Sequence, residues 1–159
     1  GFLCLLLFGF GWARPVPVNI SNFKNRRAGM ALTALAGPLA NFIIAFIAFC
    51  VYIPLLPYQS YAYGGGNAVL YVIGQFVMIV GSMSVGLGVF NLIPVHPLDG
   101  SRVLDAVMPF SWSLRLQKYQ AAFVAIFAVA LWMGWLDGLM SMAINFELRL
   151  ALRFLSIFI

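Results

Sequence analysis

The sequence predicts an all-α, polytopic membrane protein with about three transmembrane helices. An N-terminal re-entrant or extended segment and a C-terminal amphipathic helix complete the expected architecture. Three observations predict it. Of the 159 residues, 64% are hydrophobic. Only 8% are charged, where an ordinary soluble domain has roughly 25%. The apolar residues also fall in runs as long as the ~20 residues a helix needs to cross a bilayer. Disorder requires few apolar residues and many charges, the reverse of this composition. Glycine and proline show no period, which excludes collagen-like and mucin-like chains.

Residues 1–11 are apolar but too short to span by themselves, and runs of that length are more often re-entrant or interfacial. Pro15 and Pro17 then disfavour regular helix and favour extended backbone, so 1–19 is expected to form the re-entrant segment. Neither an initiator Met nor a basic n-region precedes the apolar stretch. The chain therefore reads as the C-terminal part of a longer polypeptide, not as one led by a signal peptide. Arg14, Lys24, Arg26 and Arg27 follow, four of the nine basic residues, and are expected on the cytoplasmic side.

The first full span is expected at 30–55. Thr33, Gly37, Asn41 and Ala45 recur at every fourth position and form a small or polar stripe suited to close helix packing. Pro38 predicts a kink and a freed carbonyl near Thr33 or Ala34. Residues 57–67 carry three tyrosines and no charge, and are expected to be a loop at the outer interface. The second span is expected at 68–93, with Ser82/Gly86 and Ser84/Gly88 repeating the small-residue spacing. Arg102, Arg115 and Lys118 return its far end to the cytoplasm. A third span is expected at 117–135, closed by Trp132 and Trp135 as interface anchors. Residues 139–159 mix charges with Leu, Ile and Phe and are expected to form an interfacial amphipathic helix.

The net charge of +5 does not point to nucleic acid. The basic residues flank apolar runs and form no basic helix or aromatic-basic stripe. Cys4 and Cys50 lie inside apolar runs, far from any Cys/His spacing, and are expected to be buried free thiols.

Four carboxylates can be weighed one by one. Glu147, two residues before Arg149, is expected to be solvated. Asp137 reads as a turn residue at a span end, and Asp105 as a surface partner of Arg102. Asp99 follows a span broken by prolines and precedes Gly100. It could cap a helix through the amides of Ser101 or Arg102, or ligate a metal, since an ionisable group at membrane depth is a site hypothesis by default. A hard anionic oxygen suits Zn²⁺. Asn91 is either an interhelical hydrogen-bonding residue or a donor to a developing oxyanion. His96, the sole histidine, reads as a solvent- or carbonyl-bonded side chain, and one His with one Asp makes no three-ligand site.

The strings GFGWARPVPVN (9–19), ALAGPLANF (34–42) and FNLIPVHPLDGSRVL (90–104), in that order, resemble the site-2 protease family of intramembrane zinc metalloproteases. The likeness covers nearly the whole chain, and the NxxPxxPLDG string is its most specific part. The resemblance implies that Asp99 is the third zinc ligand. It implies that Asn91 binds substrate or steadies the tetrahedral intermediate, and that Gly9 and Gly11 line the path to the metal. The stretch 12–18 would offer an extended edge on which an unwound substrate pairs. The family's HExxH, which supplies two histidine ligands and the glutamate base, is absent from this sequence. The resemblance therefore implies one Zn²⁺ whose two histidine ligands come from an upstream segment, and a chain inactive by itself. His96 departs from the family pattern and inherits no role.

So read, 1–159 is a single, partial membrane-embedded protease core. Its partners are the lipid bilayer and a transmembrane protein or peptide substrate, with no nucleic acid. It is a multi-pass protein of the bacterial plasma membrane, its metal site toward the cytoplasmic face. The competing expectations are a non-catalytic scaffold or degenerate homologue, and a small transporter subunit. The paired halves common in transporters are not visible.

Overall fold

The computed structural model describes residues 25–63, 67–95, 98–109, 116 and 118–157. Every described element is helical: α1 (Arg26–Tyr52), a 3₁₀ segment (Ile53–Tyr63), α2 (Ala68–Leu92), α3 (Asp99–Val107), α4 (Gln120–Trp132) and α5 (Asp137–Leu155). Both long helices start on an asparagine. Asn25 accepts the amide of Ala28, and Asn67 accepts those of Val69 and Leu70, satisfying donors that a helix start leaves unpaired. α1 continues through Pro38, whose ring is fully buried.

Two helical stretches, Arg27–Gln59 and Ala68–Leu92, are long and apolar enough to cross a membrane. They lie where the first two long apolar runs were expected, at 30–55 and 68–93. The loop expected at 57–67 is shorter than the sequence pattern implied. Helical backbone continues to Tyr63, and the Gln59 amide turns back to donate to the Leu55 carbonyl at 3.2 Å. Gln75 of α2 then donates to Gln59 at 2.9 Å, so two amides tie this segment to α2.

α1 and α2 run antiparallel in close contact, and glycines on α2 receive phenylalanines of α1. A Cβ at Gly81 would lie 2.6 Å from the Phe49 ring, and one at Gly88 would lie 3.0 Å from the Phe42 ring. A third glycine, Gly74, meets the Gln59 side chain in the same way. Gly74, Gly81 and Gly88 are spaced by seven, so they share one helix face. The buried face of α1 is Ala34, Pro38, Ala45, Ala48 and Phe49. Of the stripe expected on α1, Ala45 is buried and Asn41 half-buried, but Thr33 and Gly37 are exposed. Thr33 donates instead to the Gly29 carbonyl of its own helix.

The third span is interrupted. α4 has 13 residues, about 20 Å of helix, short of a ~30 Å hydrocarbon core. It ends at Trp132 because Gly134 takes a positive φ of 72°. The Trp135 amide reaches back to Ala130, and the Gly134 amide to Leu131. These are the paired bonds of a glycine-terminated helix. α5 then leaves at 73° to α4, so the pair is a broken span or a re-entrant pair. Asp137 opens α5, its amide bonded to the Gly134 carbonyl, which agrees with its expected place in a turn. Trp132 and Trp135 are exposed. α5 packs against α1 and α2: Ala151 joins Ala45, Phe49 and Val85 in the buried core, and Phe154 meets Phe46 edge-on at 5.6 Å.

Substituting Gly81→Ala should cost about 1–3 kcal/mol of stability, because the new methyl meets an aromatic ring already in a packed core. Gly86→Ala is the matched control: its Cβ meets only a methionine sulfur at 4.0 Å. It should change stability by no more than about 0.5 kcal/mol. Thermal unfolding of both variants in one detergent checks the difference.

Candidate functional site

α2 ends at Leu92, and the chain reverses through a series of tight turns into α3. Ile93 donates to Phe90, Val95 to Ile93, Leu98 to Val95 and Ser101 to Leu98. Pro94 fits this turn because it lacks the amide that a continuing helix would need. The reversal is tight enough that Gly100 is pressed against backbone. A Cβ there would meet the Leu92 carbonyl and stand 2.6 Å from the Ile93 carbonyl oxygen. Ser101 is 3% exposed, its hydroxyl donating to Leu98 at 2.7 Å.

This geometry decides the position of Asp99. The sequence left open whether Asp99 caps a helix, and the structure excludes it: the cap position belongs to Leu98, and Asp99 is the first helical residue. Ser101, expected as a donor to its carboxylate, bonds to Leu98 instead. The carboxylate turns toward α1, where a Cβ on Gly37 would be 3.3 Å from Oδ2. The GPLAN turn of α1 and the PLDG turn after α2, far apart in sequence, are therefore in contact. Gly37 was legible only as a member of a packing stripe; its meeting with Asp99 depends on the helix register.

Asn91 is half-buried on α2. Its spacing from Gly81, Ser84 and Gly88 puts it on the face that meets α1. The Phe49–Gly81 and Phe42–Gly88 contacts continue in antiparallel register to bring Asn91 toward the Gly37–Asn41 turn of α1. Neither the Asp99 carboxylate nor the Asn91 amide has a hydrogen-bond partner among the described residues. Gly9, Gly11 and His96 lie outside the described residues.

A carboxylate at the first turn of a helix, with no hydrogen-bond partner among the described residues, can serve as a metal ligand. One ligand does not make a site. No group of three or more His, Cys, Asp or Glu able to hold a metal occurs among the described residues, so Asp99 fits zinc as a single contributor. A cavity of about 300 Å³, lined by Leu35, Leu92, Pro94, Gly100, Val103 and Leu104 among others, lies beside the turn.

Glu147 contradicts its expected solvation. It is 7% exposed, because α5 docks on α1 and α2 with Ala143, Glu147 and Ala151 facing inward at four-residue spacing. The charge pattern of the tail gave no sign of this, since burial here depends on which face α5 presents to its neighbours.

Gly100→Ala should displace the Leu92–Ile93 backbone and destabilise the protein by about 1–3 kcal/mol. Gly138→Ala, with nothing within 4 Å of the new methyl, should be neutral or slightly stabilising. Unfolding midpoints of the two variants measured side by side test this.

Comparison with known proteins fits this turn. Residues 57–134, which include α2, the PLDG turn, α3 and α4, match the model of "Peptidase family M50". "Putative zinc metalloprotease YwhC" of Bacillus subtilis (strain 168) is 39% identical over 111 residues, 69% of this chain and 48% of that protein. "Putative zinc metalloprotease MJ0611" of Methanocaldococcus jannaschii is 32% identical over 114 residues, 72% of this chain and 53% of that protein. The chain thus spans about half the length of the curated relatives it matches. No solved structure matches it significantly. The chain belongs to the site-2 protease family of metalloproteases, peptidase family M50.

Proposed function

We propose that this chain forms part of an intramembrane zinc metalloendopeptidase that cleaves transmembrane proteins. The observation that carries this is the Asp99 carboxylate, without a hydrogen-bond partner among the described residues and held against Gly37 by a turn in which Gly100 has no room for a side chain. Asp99 is one zinc ligand. The two histidine ligands and the general-base glutamate belong to sequence outside this chain, which carries no HExxH. By itself, therefore, the chain hydrolyses nothing. When bound, zinc supplies Lewis-acid polarisation of the scissile carbonyl and activation of water.

The chain's own residues do the rest of the positioning. Asp99 anchors the ligand set from a rigid helix start. Asn91 donates its amide hydrogen to the oxygen that gains negative charge as the carbonyl is attacked. By the family resemblance, Gly9, Gly11 and the stretch 12–18 serve the approach of substrate, which must be released from its helix because a peptide bond within a helix is shielded from attack. Arg27 at the start of α1 and Arg102 on α3 stand at one end of the α1–α2 pair. That end is the cytoplasmic one by the distribution of basic residues, in a bacterial plasma membrane.

The test is made on the full-length protein. It should hold about one zinc, and Asp99→Asn should lose most of it while remaining folded. Asn91→Ala should keep the metal and lower cleavage by about 10²-fold, the usual loss for one oxyanion donor. Metal analysis and a cleavage assay on the same preparations separate the two roles. Unchanged zinc in Asp99→Asn would reduce Asp99 to a structural residue and end the reading.

A further inference from the structure

Glu147 has no role in the site around Asp99. Its side chain is 7% exposed, and its buried Oε2 has no hydrogen-bond partner among the described residues. It forms part of the wall of a cavity of about 420 Å³ between α1, α2 and α5, lined otherwise by Phe42, Val89, Leu139, Met142, Ala143 and Phe146. Among the described residues of that wall, Glu147 is the only polar side chain. Water is a poor occupant, because a buried water needs two to four polar partners. A lipid chain fills apolar space but brings no donor to the carboxyl. The occupant that satisfies this wall has an apolar stem ending in a cation or strong donor.

The rim adds the shape. Leu139, Met142 and Phe146 are exposed on α5 at i, i+3 and i+7, the spacing along which a second helix packs. A small amine would fill the cavity and leave this ridge bare, whereas a helix covers both. We propose that the cavity is a binding site for a partner membrane helix that inserts one lysine from an otherwise apolar face, its alkyl stem against Phe42 and Met142 and its ammonium on Glu147. Charge complementarity selects lysine, and its unbranched stem is the one that lies along apolar walls while carrying a charge inward. Phe42 is five residues beyond Gly37 on α1, about 7.5 Å of helix rise, so the docked helix lies next to the Asp99 turn. The inference stands on Glu147 and its cavity and does not rest on the protease reading.

Binding, not cleavage, tests it. The full chain in phosphatidylcholine vesicles is titrated by energy transfer with a labelled leucine-rich helix of about 22 residues carrying one central lysine, and with the same helix carrying methionine there. The lysine helix should bind at least ~10-fold more tightly, a difference of about 1.4 kcal/mol. Glu147→Leu and Glu147→Gln should each remove most of that preference while circular dichroism shows unchanged helix content. Equal binding of the two helices overturns the proposal, as does a preference that survives both substitutions. Self-association of the chain that Glu147→Leu abolishes without any peptide would assign the cavity to a second copy and overturn it as well.

Discussion

The seating of Phe42 and Phe49 on Gly88 and Gly81 is the contact on which the rest of this structure depends. In a bilayer, apolar burial gives little advantage to one helix pairing over another, because lipid is as apolar as leucine. Close backbone approach and dense contact decide instead. Glycine at every seventh position of α2 opens a groove that Gln59 fills at Gly74 and the rings of Phe49 and Phe42 fill at Gly81 and Gly88. Both ring contacts are satisfied together in a single antiparallel register. A shift of one residue would face each ring with a side chain.

That register then places the chemistry. With Phe42 on Gly88, the α1 turn at Gly37 comes level with the C-terminal end of α2. The chain leaving α2 reverses at once, because Gly100 can lie against the Leu92 and Ile93 carbonyls. Asp99, next in line, is carried onto Gly37. The two glycines work differently: Gly100 permits a close approach of backbone to backbone, while Gly37 leaves space for a carboxylate. Neither needs a left-handed conformation. Gly134 does, and its positive φ stops α4 short of a full crossing.

The two acids that α1 meets are held by opposite means. Asp99 sits at a helix start in a turn, with no hydrogen-bond partner among the described residues. Glu147 sits mid-helix in an apolar wall, with no donor at its buried oxygen among the described residues. An acid so placed is costly in a membrane protein, and a chain with only four carboxylates carries that cost at one of them. Separated by about one and a half turns of α1, the two face different spaces, a turn beside a metal ligand and a cavity open to a neighbouring helix.

By itself the sequence determined the membrane class, the two long apolar helices and the turn between Asn91 at the end of α2 and Asp99 at the start of α3. Those features are local: hydropathy over about 20 residues, an asparagine before an apolar run, and prolines that cannot continue a helix. The break in α4 was also written locally, in the glycine of WMGWLDG, but the hydropathy of the whole stretch outweighed it in the reading of a continuous span. Other features were decided only by the tertiary structure. The cap position passed to Leu98 because packing of Gly100 set where α3 begins. Gly37 became the neighbour of Asp99 because the glycine groove of α2 set the register. Glu147 became buried because α5 turned its Ala143–Ala151 face inward. In each case the outcome depends on contact between segments distant in the chain, and no periodicity within one segment records which neighbour it will meet.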